Sequence, residues 1–186
     1  MRMKSIVYVT GNLNKLRESE EILGMKLEHA EIDAPEIQAI QVSDVVKEKA
    51  IYSYNQIKKP VIVDDSGLYF RSMDGFPGAL IKWLLKSVGN GGIFEIMKNF
   101  KDSGAYAEVV IGYYDGKEFK SFYGRIDGEI VKPIGTNGFG WDAIFKAKGF
   151  GKTFAEMTQK EKNSISMRKI ALIKLKEFLD DESISL

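Results

Sequence analysis

Apolar residues along the first half of the chain follow two different spacings, and these predict strands that alternate with helices. A short continuous apolar run predicts a buried strand over residues 6–9. Apolar residues then recur every three or four positions, which predicts one helix from Asn12 to about residue 23 and another from Ser43 to about residue 57. The segment KKPVIVDDSGLYF, residues 58–70, predicts a strand, a break at its acidic pair and a second strand.

The second half of the chain begins with helical spacing and then changes to strand spacing. ALIKWLLKSV predicts a helix that ends at GNGG, and IFEIMKNF predicts another helix. Residues 105–114 and 118–126, on either side of an Asp115-Gly116 turn, predict a hairpin. Residues 164–179 predict a long final helix. Strands that alternate with helices before a late hairpin indicate an α/β protein with a mixed sheet.

The composition limits the kinds of protein that this chain can be. Its 186 residues suit a single domain over residues 1–186, with no linker dividing it. There is no cysteine, which excludes thiolate zinc sites and thiol nucleophiles, and His29 is the single histidine. With 27 basic and 26 acidic residues, the chain lacks the cationic excess of a nucleic-acid-binding surface. No apolar run approaches the roughly 20 residues of a membrane span, so we expect a cytoplasmic protein without a membrane partner.

A glycine turn, TGNLNK, joins the first predicted strand to the first predicted helix. It places Lys15 near the third helical position. A cation there opposes the helix dipole unless an anion lies at the helix N-terminus, where free N–H groups already point. One interpretation is therefore a phosphate-binding turn made by Thr10, Asn12 and Lys15. The other is an ordinary strand-to-helix turn with a solvated lysine, which the motif alone favours because such glycine turns are common.

Two adjacent carboxylates, Asp64 and Asp65, follow an apolar run of strand length. Neighbouring side chains on a strand point to opposite faces, so the two acids cannot share one role if the strand continues. Open α/β sheets bind ligands at the C-terminal ends of their strands, and oxygen ligands favour Mg²⁺ or Mn²⁺. A metal-binding carboxylate is one interpretation. A turn in which an aspartate bonds to its own backbone before Ser66 is an equally good one.

Two later segments contain candidates for ligand contact. GFGWD, residues 138–142, places two aromatic rings around a glycine. Phe139 or Trp141 is either a stacking surface for a base or, more commonly, a core residue. On the last predicted helix, Arg168 lies within an apolar stripe. A guanidinium that faces the interior needs a carboxylate, a carbonyl or a ligand as acceptor, unless it reaches solvent at the edge of the stripe.

Five segments of the chain, taken in order, resemble the inosine-triphosphate pyrophosphatase family. VTGNLNKLRE is similar to the N-terminal T/S-G-N-x-x-K of that family, and VDDSGLYF is similar to its D-D-S-G-L. GFPGALIKWLL is similar to P-G-x-Y-I-K-W, and GFGWDAIF is similar to F-G-[YW]-D-P-x-F. TFAEMTQKEKNSISMRKIAL is similar to T-x-A-E-M-x-x-x-E-K-N-x-[IV]-S-H-R-x-x-A-L. Together the segments extend over nearly the whole chain.

The resemblance implies both a fold and a reaction. The fold is a bilobed α/β domain with a long mixed central β-sheet flanked by helices and an active-site cleft between the lobes. The reaction is hydrolysis of the α–β phosphoanhydride bond of non-standard purine nucleoside triphosphates (ITP, dITP and XTP). It yields the nucleoside monophosphate and pyrophosphate, and it sanitises the nucleotide pool. The resemblance also implies Mg²⁺ as the cofactor, with Mn²⁺ as a substitute, and a homodimer.

The resemblance assigns residues to the phosphate and metal side of the site. The triphosphate would be held by one turn, made of Thr10, Gly11, Asn12 and Lys15. Glu36 and Asp65 would bind the metal, and Asp65 would also accept the proton of the attacking water. Ser66 would contact the substrate. Asp64, which points the other way, would have a structural or supporting role.

On the base side, the resemblance assigns residues from two segments: Phe139, Gly140, Trp141, Asp142, Lys162, Met167 and Arg168. Met167 stands where the family usually has histidine, so a contact to the base is altered or lost. Arginine and lysine only donate hydrogen bonds. We therefore expect Arg168, helped by Lys162, to pair with the 6-oxo group of the base and to reject the 6-amino group of adenine.

Other functions remain open at this point. A related nucleoside-triphosphate pyrophosphatase, of the all-α or the pyrimidine-directed kind, would differ only in its substrates. A phosphoacceptor signalling domain also uses paired acids and a lysine, but there the acid pair follows the first strand, where this chain has TGN. A phosphatase with a D-x-D nucleophile is disfavoured because Asp64 and Asp65 are adjacent.

Overall fold

A mixed β-sheet with helices on both faces forms the centre of the protein, in a computed structural model that describes residues 6–181. The strands in these residues are β1 Val7–Val9, β2 Glu28–Ala30, β3 Val61–Phe70, β4 Pro77–Gly78, β5 Gly104–Tyr114, β6 Phe119–Ile130 and β7 Phe145–Ala147. The helices are α1 Leu13–Leu23, α2 Val42–Ile57, α3 Ile81–Met97, α4 Gln159–Ile165 and α5 Met167–Asp181, with short 3₁₀ turns at Arg71–Met73 and Phe154–Glu156. Within residues 6–181, no helix is long and apolar enough to cross a membrane.

The sheet has the strand order β2-β1-β3-β5-β6-β7, and β4 pairs with β3 beside this path. β1 is parallel to both β2 and β3. The pairs β3–β4, β3–β5, β5–β6 and β6–β7 are antiparallel. The predicted mixed sheet and hairpin are therefore confirmed. β6 continues to Ile130, beyond its predicted end at residue 126.

The core lies on both faces of the sheet, because the buried residues of β3 alternate between them. Ile62 and Leu68 belong to the larger apolar cluster, which α1, α3 and α5 cover. Val61, Val63 and Tyr69 belong to the smaller cluster, which α2 covers. This alternation directs the side chain of residue 64 toward α1 and α5, and that of residue 65 toward α2.

β3 is one continuous strand, so the predicted break at the acidic pair is wrong. Asp64 lies opposite Ile111 and Asp65 opposite Val110 on β5, and the ladder continues through both acids. The charges are tolerated inside the strand because each carboxylate has partners. Asp64 contacts the cations of Lys15 and Arg168, and Asp65 accepts a hydrogen bond from the next backbone N–H.

Of the N-caps predicted for the first two helices, one is confirmed and one is wrong. Asn12 precedes α1, and its side chain accepts hydrogen bonds from two N–H groups of the first turn, so this cap is confirmed. Ser43 lies inside α2, which begins at Val42, so the second predicted cap is wrong. The N–H of Val42 donates instead to the hydroxyl of Tyr69 on β3 (3.0 Å), a distant partner that local sequence does not indicate.

The last predicted helix is interrupted, contrary to the prediction of one helix over residues 164–179. Ser166 is extended between α4 and α5. Its hydroxyl accepts a hydrogen bond from the N–H of Lys169 (3.2 Å) and thereby supports the first turn of α5. In α3, by contrast, the predicted break is confirmed. Gly89 has φ 67° and ψ 177°, and helix resumes after this kink.

Candidate active site

The turn between β1 and α1 is held by hydrogen bonds from its own side chains. The hydroxyl of Thr10 accepts a hydrogen bond from the N–H of Asn12 (3.1 Å), and Asn12 caps α1. Gly11 is closely approached, since a Cβ there would lie 3.2 Å from Oε1 of Glu31. The carbonyl of Thr10 accepts a hydrogen bond from Nε2 of His29 on β2 (2.6 Å). The structure thus brings the predicted turn residues together and adds His29, which no motif connects to this turn.

Asp64 is buried, with 2% of its surface exposed, on the face covered by α1 and α5. Its Oδ1 accepts a hydrogen bond from the hydroxyl of Tyr8 (2.5 Å). Its Oδ2 lies 3.2 Å from Nζ of Lys15 and also accepts from Nη1 of Arg168. Burial would raise the pKa of Asp64, but the charges of Arg168 and Lys15 and its hydrogen bonds hold that pKa well below its usual range. Asp64 is therefore ionised at neutral pH and joins β3 to α1 and α5.

Asp65 is partly buried and lies on the face of the sheet that α2 covers. Its Oδ1 accepts a hydrogen bond from the N–H of Ser66 (2.8 Å). Burial raises the pKa of Asp65, and the charges of Lys15 and Lys49 oppose part of that rise. A carboxylate with a raised pKa is a stronger base than an ordinary aspartate, which suits the role of proton acceptor.

Two lysines that the sequence analysis missed lie beside acidic groups. Lys49, on α2, is close enough to Asp65 to affect its pKa. It lies seven residues after the buried Val42, at the edge of the buried face of α2. This position in the helical pattern could have identified Lys49 as a candidate site residue. Lys82, in the first turn of α3, has its Nζ 3.3 Å from Oε2 of Glu36. Glu36 itself lies in the exposed loop before α2.

The available metal ligands are few. Within residues 6–181, no group of three or more His, Cys, Asp and Glu side chains could hold a metal ion. Glu36 and Asp65, the two ligands that the resemblance assigns, would give a site with two protein carboxylates. That number suits Mg²⁺, which proteins usually bind through one or two carboxylates together with substrate phosphates and water.

The segment 138–142 separates its two aromatic rings. Phe139 is 55% exposed, whereas Trp141 is 9% exposed and packs against Phe145 with their ring centroids 5.7 Å apart. Trp141 is therefore a core residue, and only Phe139 offers a free ring face. Asn90, at the kink of α3, donates to the carbonyl of Gly140 (3.0 Å) and holds this segment in place.

Asp142 is the centre of a small buried ion pair behind Phe139. Its Oδ2 accepts a hydrogen bond from the N–H of Phe139 (2.9 Å) and lies 2.6 Å from Nζ of Lys162. The same Nζ lies 5.0 Å from the centroid of the Phe139 ring. Gly138 is required here, because a Cβ would come within 2.1 Å of Oδ2 of Asp142. Asp142 therefore holds both the backbone of Phe139 and the ammonium group of Lys162.

A cavity of about 340 Å³ opens between α1 and α4. α1 contributes Asn14 and Glu18 to its walls, α4 contributes Lys162 and Asn163, and Phe139 lies between them. The volume falls within the roughly 300–1,000 Å³ of small-molecule sites. An exposed ring provides a stacking surface and an ammonium group provides a hydrogen-bond donor, two contacts that suit a planar ligand with a hydrogen-bond acceptor at its edge.

Arg168 is buried and has two carboxylate partners. Its Nη1 donates to Asp64, and its Nε lies 2.9 Å from Oε2 of Glu18. The expectation that an inward-facing guanidinium has an acceptor is confirmed, and the acceptors are protein carboxylates. Arg168 therefore reaches a base only through the N–H groups of Nη1 and Nη2 that these two contacts do not use, or by leaving one of these partners. Met167 is buried in the larger core, and its carbonyl oxygen lies 1.7 Å from where a Cβ on Gly124 of β6 would be.

The sequence is similar to a characterised group of proteins over almost its full length. A profile of the Ham1 family matches residues 6–178. The inosine triphosphate pyrophosphatase of Schizosaccharomyces pombe is 42% identical over 184 residues, which cover 97% of this chain and 97% of that protein. The inosine triphosphate pyrophosphatase of Yarrowia lipolytica is 41% identical, with 96% of this chain and 97% of that protein covered.

Solved structures agree with the sequence comparison. A HAM1 protein from Coxiella burnetii is 28% identical, superposes with a TM-score of 0.81, and the match covers 95% of this chain and 98% of that one. A nucleoside-triphosphatase, dITP/XTP pyrophosphatase, from Mycobacterium abscessus is 28% identical with a TM-score of 0.73, and 91% and 97% of the two chains are covered. Profile, sequence and fold thus agree along nearly the whole length, and the chain belongs to the Ham1 family.

Proposed function

We propose that this protein hydrolyses ITP, dITP and XTP to the nucleoside monophosphate and pyrophosphate. The observation that carries the proposal is that one helix, α1, borders both halves of the site. Its first turn holds Lys15 against the acidic pair, and its second turn places Glu18 in the wall of the cavity with Phe139 and Lys162. A nucleotide whose base occupies that cavity has its phosphates directed toward the turn before α1. The names of the relatives support the same reaction.

We propose Mg²⁺, or Mn²⁺ in its place, as the cofactor, with Glu36 and Asp65 as the protein ligands. When bound, the ion neutralises phosphate charge and favours ionisation of water. Asp65 accepts the proton of the attacking water. Lys15 and Lys49, whose charges act on Asp65, bind the phosphates electrostatically.

The base side accounts for a preference for 6-oxopurines over adenine. Phe139 stacks on the base, and Nζ of Lys162, held by Asp142, donates to the 6-oxo oxygen. Adenine has a 6-amino group, which would place a donor against a donor. A site built to hydrogen-bond one substrate group rejects analogues that lack it by up to roughly 10⁴–10⁵-fold.

The test is a nucleotide panel incubated with Mg²⁺, with pyrophosphate and orthophosphate measured separately. ITP should give IMP and pyrophosphate in a single step, and ATP should react far more slowly. IDP and orthophosphate as first products would contradict the proposal. Lys162→Met should reduce kcat/KM for ITP much more than for ATP, whereas an equal reduction would mean that Lys162 does not contact the base. We also propose a cytoplasmic homodimer, and light scattering tests the oligomeric state.

A further inference from the structure

One carboxylate oxygen, Oδ2 of Asp64, binds two cations that belong to different parts of the site. Nζ of Lys15 lies 3.2 Å from it, and Nη1 of Arg168 donates to it. Lys15 belongs to the turn assigned to phosphate. Arg168 lies at the start of α5, 104 residues away from Asp64 in sequence. A single acceptor therefore serves both the phosphate side and the base side.

The same chain of contacts extends to the cavity. Nε of Arg168 lies 2.9 Å from Oε2 of Glu18, and Glu18 lines the cavity. The continuous path is Lys15, Asp64, Arg168, Glu18, with two positive and two negative charges in alternation. All four side chains are at most 16% exposed. Since their electrostatic interactions are only weakly screened, a change in the contacts of Lys15 alters the strength of the contact between Arg168 and Glu18.

We propose that Asp64 is a positioning residue that couples triphosphate binding to base selection. The inference rests on the function proposed above. In the free protein, Lys15 and Arg168 share Oδ2. A triphosphate draws Lys15 away, so Oδ2 then attracts Arg168 alone, and the hold of Arg168 on Glu18 weakens. The carboxylate of Glu18, which only accepts hydrogen bonds, then becomes available to the N1–H of a 6-oxopurine in the cavity, whereas N1 of adenine carries no proton.

Coupling of this kind operates equally in the other direction. A base that engages Glu18 weakens the contact between Glu18 and Arg168, which strengthens the contact between Arg168 and Asp64. Lys15 is then held less tightly and becomes available to phosphate. The correct base therefore improves phosphate binding without touching phosphate.

Tyr8 sets the geometry that makes this sharing possible. Its hydroxyl donates to Oδ1 of Asp64 (2.5 Å) from the neighbouring strand β1. With Oδ1 occupied, only Oδ2 faces the two cations. Tyr8→Phe removes this hydrogen bond while leaving all four charges in place, so it disturbs the orientation of the carboxylate alone.

The test measures the ratio of kcat/KM for ITP to kcat/KM for ATP in a double-mutant cycle. Lys15→Ala should lower the ratio by about fivefold or more, the lower end of usual coupling between sites, although Lys15 lies on the phosphate side. In Asp64→Asn, adding Lys15→Ala should leave the ratio unchanged. Lys49→Ala is the matched control. The charge of Lys49 acts on Asp65, so Lys49→Ala should raise KM for both nucleotides. The ratio should stay as it is in the unmodified protein.

The coupling is overturned if Lys15→Ala lowers kcat/KM for ITP and ATP by the same factor, as Lys49→Ala should. If Asp64→Asn does not fold, Tyr8→Phe is measured as a single variant instead of the cycle. The ratio in Tyr8→Phe should then shift in the same direction as in Lys15→Ala, and an unchanged ratio overturns the proposal. These outcomes differ from failure of the proposed function, in which the unmodified protein releases no pyrophosphate from ITP. An active protein with an unmoved ratio contradicts the coupling alone.

Discussion

Asp64→Asn is expected to destabilise the protein strongly at neutral pH. The substitution keeps the shape of the side chain and removes the negative charge that faces Arg168 and Lys15 in the interior. Removing one partner of a buried ion pair costs about 3–5 kcal/mol, because the other charge stays buried. Glu18 still binds Arg168 at 2.9 Å, so we expect a loss at the lower end of this range, about 3 kcal/mol.

The loss in Asp64→Asn should depend on pH in one direction. Folding lowers the pKa of Asp64 well below its usual range, and in the unfolded chain it is about 3.9. An acid whose pKa is lowered by folding stabilises the protein above its unfolded pKa, and this stabilisation is lost as the pH falls below that value. The difference in unfolding free energy should be constant above about pH 5. Below about pH 4 it should shrink by up to about 1.4 kcal/mol per pH unit.

Urea denaturation of the unmodified protein and of Asp64→Asn, at neutral pH and at several values below about pH 5, measures this difference. Asp180→Asn is a suitable control, since Asp180 is exposed on α5. It should change the free energy of unfolding by no more than about 0.5 kcal/mol. A difference for Asp64→Asn that stays constant or grows as the pH falls would refute the reasoning, because it would mean that the buried carboxylate is not held ionised by its partners.

Three further substitutions test the site. Asp65→Asn should lower kcat for ITP by about 10²-fold or more, the contribution of a general base, with little change in urea denaturation; an unchanged kcat would exclude this role. Phe139→Leu should raise KM for ITP by about 5- to 150-fold, the equivalent of about 1–3 kcal/mol of base stacking. Phe150→Leu, which changes another exposed ring, should leave KM unaltered, and similar values for both would argue against stacking. His29→Leu should raise KM for ITP by about fivefold, because the carbonyl of Thr10 loses its donor. His29→Gln, which retains an N–H, should reverse most of the change. Equal KM values in His29→Leu and the unmodified protein would show that this contact does not affect substrate binding.

The parts of the fold that depend on neighbouring residues could be predicted from the sequence. Asn12 caps α1 because its own side chain reaches the N–H groups of the next turn. The hairpin around Asp115-Gly116 needs only a turn and two alternating segments. The opposite directions of Asp64 and Asp65 follow from alternation along one strand, whichever residues surround them.

The parts that depend on distant residues could not be predicted. The apolar stripe shows that Arg168 faces the interior, but its acceptors Asp64 and Glu18 come from β3 and α1. The continuity of β3 has the same cause, because a charge is tolerated inside a strand only when the fold supplies its partners. Phe139 and Trp141 have similar local sequences, and only the packing of Trp141 against Phe145 distinguishes the ring in the core from the ring in the cavity.

Lys15 shows how a distant contact changes the meaning of a motif. Considered with its own helix, it is a cation opposed to the dipole and therefore suggests a bound anion. In the fold, Asp64 already provides an anion 3.2 Å away, so the position of Lys15 requires no ligand for its stability. If Lys15 binds phosphate, as proposed, the phosphate group must compete with a buried carboxylate for this ammonium. A triphosphate with several negative charges competes better than a monophosphate with fewer, since Coulomb attraction scales with charge. The contact with Asp64 thus favours binding of the triphosphate over retention of the monophosphate, which is the order of affinities that an enzyme releasing a nucleoside monophosphate needs.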